Sequence, residues 1–250
     1  MIDMFMGIPR GFEIGIYLIC SIIIYKKQNY FLNKIYSVSL IGWTVYALCD
    51  LLIFPIGHIE PWSLGEISIH GEMMTVPLIA NILRDIQIFG AAIMAFGYLY
   101  ASIIIRYGAS KAKEKKYIIT IILLIASITL VMDAFDTIIK DTSVIPDVVK
   151  TNYTMMSFIF ILIELTLYFF AIYEHARVYK DINKDKIDKR KILYFIFGSA
   201  TTAIGVLYFV IIGILISGQE YQLITGPIGH IIWIMSPLFI YWGFKNSKIH

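Results

Sequence analysis

Eight ionisable side chains stand where apolar ones would be expected. Glu13, Asp50, Arg84, Asp85, Asp133, Asp136, Glu164 and His230 all fall inside, or at the margin of, long apolar runs. A charged residue at the centre of a membrane helix costs about 2.5–3.5 kcal/mol on insertion scales, so such groups face a protein interior or water rather than lipid. Carboxylates gathered with a guanidinium and an imidazole can exchange protons, hold a cation, or orient a small polar ligand.

Spacing at 3.6 residues per turn sorts these residues onto faces. Trp43, Tyr46 and Asp50 share one face of their run, and Thr129, Asp133 and Asp136 share another. Asn81, Arg84 and Gln87 form a polar stripe, with Asp85 about 100° round from Arg84. Glu164 pairs with Tyr168, and His230 lines up with Trp233 and Pro237. The six acids against Arg84 leave an excess of negative charge that a buried layer relieves by holding protons, water or a cation. Arg84 should pair with a carboxylate across a helix gap, either Asp50 or Asp133. Asp136 and Glu13 lie close enough to an interface to need no role. Asp50, Arg84, Asp85, Asp133, Glu164, His230, Tyr46 and Trp233 are therefore the candidate ligand-binding set.

The elements that position them are membrane helices. The chain has 250 residues, 58% of them hydrophobic and only 16% charged, with a mean hydropathy of +0.75. Seven apolar runs occur at about 9–26, 35–57, 76–105, 116–139, 152–175, 191–217 and 222–244. Each is long enough to cross a hydrocarbon core of about 30 Å at 1.5 Å per residue. Their apolar stretches are continuous rather than alternating, which selects helices over barrel strands. The first run lacks a small-residue cleavage site after it and reads as a helix rather than a removed signal peptide. The expected fold is an all-α membrane protein, a single seven-helix bundle over 1–250.

Orientation follows from the basic residues. Of 21 Lys and Arg, 17 fall in the loops after the first, third and fifth runs or in the C-terminal tail. Basic loops face the cytoplasm, so the N-terminus is expected outside and the C-terminus inside. This asymmetry accounts for the net charge of +3 without nucleic acid as a partner. With the chain so directed, Glu13, Asp50, Arg84, Asp85 and Asp133 lie about 7–9 Å outward of the midplane and His230 about 4 Å outward. Acids from separate helices thus share one level near the outer face.

The outer segment 58–72 carries Trp62 among alternating apolar residues and reads as a short hairpin or an interfacial stretch. The charged segment Lys180–Lys191 reads as a solvated cytoplasmic extension, with docking of a cytoplasmic signalling partner as the sharper alternative. Asn152-Tyr153-Thr154 fits a glycosylation sequon. Cys20 and Cys49 fall in apolar stretches and read as small packing residues. Gly90 and Gly97, seven apart, read as a face for close helix packing, and the tyrosines near span ends as interface anchors.

In helix count and orientation the chain resembles the broad class of seven-helix rhodopsins and receptors and the seven-helix sensor segments of microbial signalling proteins. That resemblance implies a sensor with a pocket open to the outer face. Covalent retinal would need a lysine within the seventh run, and 225–237 has none. A metal-dependent intramembrane enzyme would need several ligands at His230, with Asp133 and Asp136 assisting. A proton- or cation-coupled transporter using the same carboxylates would need a polar path continuing inward, for which the sequence offers mainly Ser39, Ser102, Thr120 and Ser199. The partners expected are the lipid bilayer, a small molecule or ion, and a cytoplasmic signalling protein, in the plasma membrane of a cell.

Overall fold

The computed structural model describes residues 2–27, 30–57, 64–69, 72–134, 141–145, 148–150, 155–182, 186–215 and 224–245. Its helices are α1 (Ile2–Lys27), α2 (Phe31–Gly57), α3 (Leu78–Tyr107), the single turn α4 (Ala109–Ala112), α5 (Lys115–Ala134), α6 (Met155–Asp181), α7 (Lys186–Leu215) and α8 (Gly226–Lys245). Two antiparallel hairpins accompany them, β1 (Leu64–Ile69) with β2 (Glu72–Pro77), and β3 (Asp141–Ile145) with β4 (Val148–Lys150). Among the described residues, six helices are long and apolar enough to cross a membrane: α1, α2, α3, α6, α7 and α8. The protein is a multi-pass integral membrane protein.

The reason these segments are membrane helices shows in their faces. On α1, Glu13, Tyr17, Cys20, Ser21 and Ile24 are buried, while Phe12, Ile19, Ile22 and Ile23 are exposed. The buried set recurs at three- and four-residue intervals, as one helix face must. Its exposed face is apolar until Tyr25 and Lys26 at the helix end, whereas the buried face carries an acid, a phenol and a hydroxyl. A soluble helix has the opposite arrangement. α5 likewise exposes Ile119, Ile122, Leu123 and Leu130.

Packing closes six helices into a ring. α1 packs on α2, α2 on α3, α3 on α6, α6 on α7, α7 on α8, and α8 back on α1. α5, the element that corresponds to the fourth apolar run, packs chiefly on α3. The tightest seam joins α2 and α3. A methyl group at Gly90 would stand 2.5 Å from the Gly42 carbonyl oxygen, and one at Gly42 2.7 Å from the Gly90 carbonyl oxygen. Only glycine at both positions lets the two backbones approach this closely, the small-residue packing that membrane interfaces favour. Gly97, one heptad along, meets Ser39, so the seven-residue spacing does mark a packing face.

The ends of the ring differ. Lys27 at the end of α1 donates to the Phe244 carbonyl at the end of α8, and Arg106 at the end of α3 pairs with Glu174 near the end of α6. The basic helix ends therefore meet on one side, and the hairpins connect helices on the other.

One sequence expectation changes. The described residues of segment 180–191 are mostly helical rather than loop: α6 runs to Asp181 and α7 begins at Lys186. Lys, Arg, Asp and Glu sustain a helix once water replaces lipid around it, so both helices overrun their apolar spans. The hairpin expected in segment 58–72 is present but reaches past it, with β1 (Leu64–Ile69) inside the segment and β2 running from Glu72 to Pro77. The second hairpin, between α5 and α6, was not anticipated.

Candidate functional site

At the end of the ring opposite the basic termini, α1 carries Arg10 and Glu13, one turn apart and both buried. They organise two adjoining clusters. Glu13 is the centre of the first. Trp43 on α2 donates its indole N–H to Glu13 Oε1 at 2.5 Å, and His230 Nδ1 on α8 meets Glu13 Oε2 at 2.5 Å. One carboxylate thus ties three helices. With the carboxylate accepting both bonds, the imidazole carries its proton on Nδ1 and turns Nε2 elsewhere. That Nε2 atom is buried and has no protein hydrogen-bond partner.

Arg10 begins the second cluster. Its guanidinium lies 2.7 Å from Asp50 Oδ2 on α2. Gln87 on α3 donates to Asp50 Oδ1 at 3.3 Å and accepts from Arg84 at 2.8 Å. The expected Arg84–Asp50 link is therefore indirect, with Gln87 between them and Arg10 as the direct cation. The alternative Arg84–Asp133 pair, and Asp133's part in the binding set, fall outside the described residues at the side-chain level, as does Asp136 entirely. Arg84 is also close enough to Glu164 on α6 to act on it electrostatically. Glu164 is 6% exposed, and its Oε1 has no protein hydrogen-bond partner. Asp85 is half-buried beside this stripe.

Aromatic rings fill the space between the clusters. Trp43 stacks on Tyr46 at 4.5 Å and meets Trp233 edge-on at 4.8 Å. Trp233 in turn stacks on Phe209 of α7 at 4.3 Å, with His230 5.7 Å away. Gly205 on α7 makes room for this indole: any β-carbon there would run into the Trp233 ring. Glu13 thus stands among stacked rings, and Asp50 is held between Arg10 and Gln87. A shallow apolar groove formed by Ile159, Leu162, Ile163, Thr166 and Leu167 lies on the exposed flank of α6, away from the polar clusters.

No protein-family model, curated protein or solved structure matches this chain. The site must be read from its own chemistry.

Of the sequence-derived set, the structure brings Tyr46, Trp233 and His230 into one aromatic cluster, and Asp50 and Arg84 into one polar chain. Glu164 adjoins that chain. It also brings in four residues that were not in the set: Arg10, Glu13, Trp43 and Gln87. The apolar run that starts at about residue 9 leaves Arg10 at its outer margin. Helix α1 in fact begins at Ile2, which sets Arg10 two turns inside it. Glu13, which its place in the sequence sets near the interface, is instead fully buried and paired with Trp43 and His230. Among the described residues, no group of three or more His, Cys, Asp and Glu could hold a metal ion.

Proposed function

We propose that the protein is a seven-helix sensor or receptor-like membrane protein, N-terminus outside and C-terminus cytoplasmic, whose responsive site is the polar layer around Glu13, His230, Asp50 and Arg84. α5 is the seventh span in this reading, and the cell's plasma membrane is where it resides. The signal is a small ligand, a proton or a cation. A cytoplasmic partner receives it at the basic helix ends.

The observation that carries the reading is the convergence on Glu13. One carboxylate, buried among aromatic rings, fixes α1, α2 and α8 together. A proton or cation that competes for this carboxylate alters three helix contacts at once, and a packed bundle converts such a change into discrete alternative arrangements. The same layer holds buried polar atoms with no protein partner, at His230 Nε2, Trp233 Nε1 and Glu164 Oε1. Such atoms are costly unless something hydrogen-bonds to them, and they offer both donor and acceptor positions to a small polar ligand.

Tryptophan fluorescence provides the test, because Trp43 and Trp233 both lie in the layer. The full chain in lipid nanodiscs would be titrated separately with protons, sodium and calcium. A saturable change that disappears in Glu13→Gln supports the reading. An emission spectrum that ignores all three, or a response that Glu13→Gln leaves intact, contradicts it.

A further inference from the structure

The ring's interior holds a second polar feature that the layer around Glu13 does not use. Tyr17 on α1, Tyr36 on α2, Tyr98 on α3 and Tyr168 on α6 are each completely buried. Burying a phenol needs a compensating hydrogen bond, and apolar Phe would pack as well without that need. Four buried phenols from four helices therefore call for an explanation beyond packing.

Their hydroxyls are arranged along the bundle axis. Nearest the polar layer, Tyr17 sits one turn below Glu13 on α1 and donates to the Trp233 carbonyl at 3.0 Å. Ser236, one turn along α8 from that carbonyl, donates its own hydroxyl to the Gly198 carbonyl at 2.8 Å. Ser236 on α8 is a hub: Tyr98 Oη lies 3.0 Å from its Oγ, and Thr202 on α7 donates to it at 2.8 Å. Further toward the basic end, the Tyr36 ring meets the Tyr98 ring at 5.5 Å, and Tyr36 Oη lies 3.4 Å from Nε2 of His175. His175 is fully buried, and its Nδ1 has no protein partner. The His175 ring packs 6.1 Å from Phe195 on α7. Ser199, four residues from Phe195 back toward the polar layer, is also fully buried with an unpartnered hydroxyl. Tyr168 Oη, beside Tyr98, is a further unpartnered group.

We propose that this string, from Glu13 and His230 through Tyr17, Ser236 and Tyr98 to Tyr36 and His175, is a proton path across the bundle. Tyr17 and Ser236, whose hydroxyls rest on the Trp233 and Gly198 carbonyls, turn from them in transit, and each hydroxyl then accepts a proton on a lone pair as it passes its own to the next oxygen or water. His175 accepts on Nε2 and releases from Nδ1, the two-nitrogen relay that imidazole permits. Only O–H and N–H bonds form and break, and one proton leaves the far end for each that enters. The groups then rotate to restore the donor pattern. Water bridges the string where no direct bond joins its members, between Glu13 and Tyr17, Tyr17 and Ser236, and Tyr98 and Tyr36, and continues from the unpartnered Nδ1 of His175 toward the basic end. The path is not visible in the sequence as an inward route, because periodicity does not show which tyrosines on separate helices meet. It needs no ligand in the outer layer, so it and the sensing role can fail separately.

The test uses the full chain in liposomes that enclose a pH-sensitive dye, with a potassium gradient and valinomycin to drive protons. Wild type should collapse the imposed gradient faster than empty vesicles. Tyr36→Phe, Tyr98→Phe and Ser236→Ala each remove one oxygen from the string, and each should return the rate to that of empty vesicles. Thr166→Ala, on the exposed flank of α6, should keep the wild-type rate. Gel filtration and circular dichroism establish that each variant is folded, and three separated positions guard against the loss of any one. A wild-type rate equal to that of empty vesicles overturns the proposal. So does a rate unchanged in the folded variants, or one accompanied by chloride release, which would mean an aqueous leak.

Discussion

Removing the Glu13 side chain should be among the most damaging single changes in the polar layer. In Glu13→Ala the Trp43 indole N–H and the His230 Nδ1 each lose their acceptor, and both residues are buried. An orphaned buried donor costs about 1–3 kcal/mol in soluble proteins, while hydrogen bonds between membrane helices average about 0.6 and reach about 1.7 kcal/mol. Two donors together give a loss of about 2–4 kcal/mol. Glu13→Gln keeps one acceptor oxygen for Trp43, and its amide can donate to the imidazole in the other tautomer, so it should cost about 1 kcal/mol or less. Reversible unfolding of the full chain in mixed micelles by added denaturing detergent measures both variants. The double substitution Glu13→Ala with His230→Ala should recover part of the loss, because neighbours that share a bond are not additive. If Glu13→Ala is as stable as wild type, or no less stable than Glu13→Gln, the carboxylate does not hold the three helices together.

Other consequences follow from the same geometry. Gly90→Ala sets a methyl against a backbone oxygen that no rotamer change can move, and should cost about 1–3 kcal/mol in the same unfolding assay; Gly11→Ala, which meets nothing within 4 Å, should be neutral or slightly stabilising. Arg10→Ala removes the direct cation from Asp50 and should destabilise more than Arg84→Ala does through Gln87, a ranking that equilibrium unfolding checks. Lys111→Cys, on the basic side, should react with a membrane-impermeant thiol reagent only after the cells are opened. Labelling of intact cells would reverse the assigned direction of the chain, and the buried Cys20 and Cys49 keep the background low.

Much of the helical framework could be read from the residues, because lipid imposes a simple demand on the chain. Every backbone group must be satisfied within its own segment, so continuous apolar runs of about 20 residues become helices. Ends were less legible where charge allowed a helix to continue into water, as α6 and α7 do. The presence of a polar layer was also legible, since acids in apolar runs have few other places to go. Its pairings were not. Periodicity gives each helix a face but not its rotation against a neighbour, so nothing in the sequence could choose Arg10 over Arg84 for Asp50. Nor could it choose Glu13 over the other acids for His230. Tyrosine was the most misleading residue type: its amphipathic ring suits the interface, yet Tyr17, Tyr36 and Tyr98 stand in the ring's interior, where their hydroxyls find Trp233, His175 and Ser236.

The central claim is that Glu13 and His230 form a responsive contact inside the bundle, and nitrogen NMR of the histidines in lipid nanodiscs addresses it directly. The account predicts one imidazole with a strongly hydrogen-bonded Nδ1 that shifts when protons, sodium or calcium are added and reverts to an ordinary histidine signal in Glu13→Gln. A His230 signal that is the same in wild type and Glu13→Gln, and unmoved by all three additions, would contradict it.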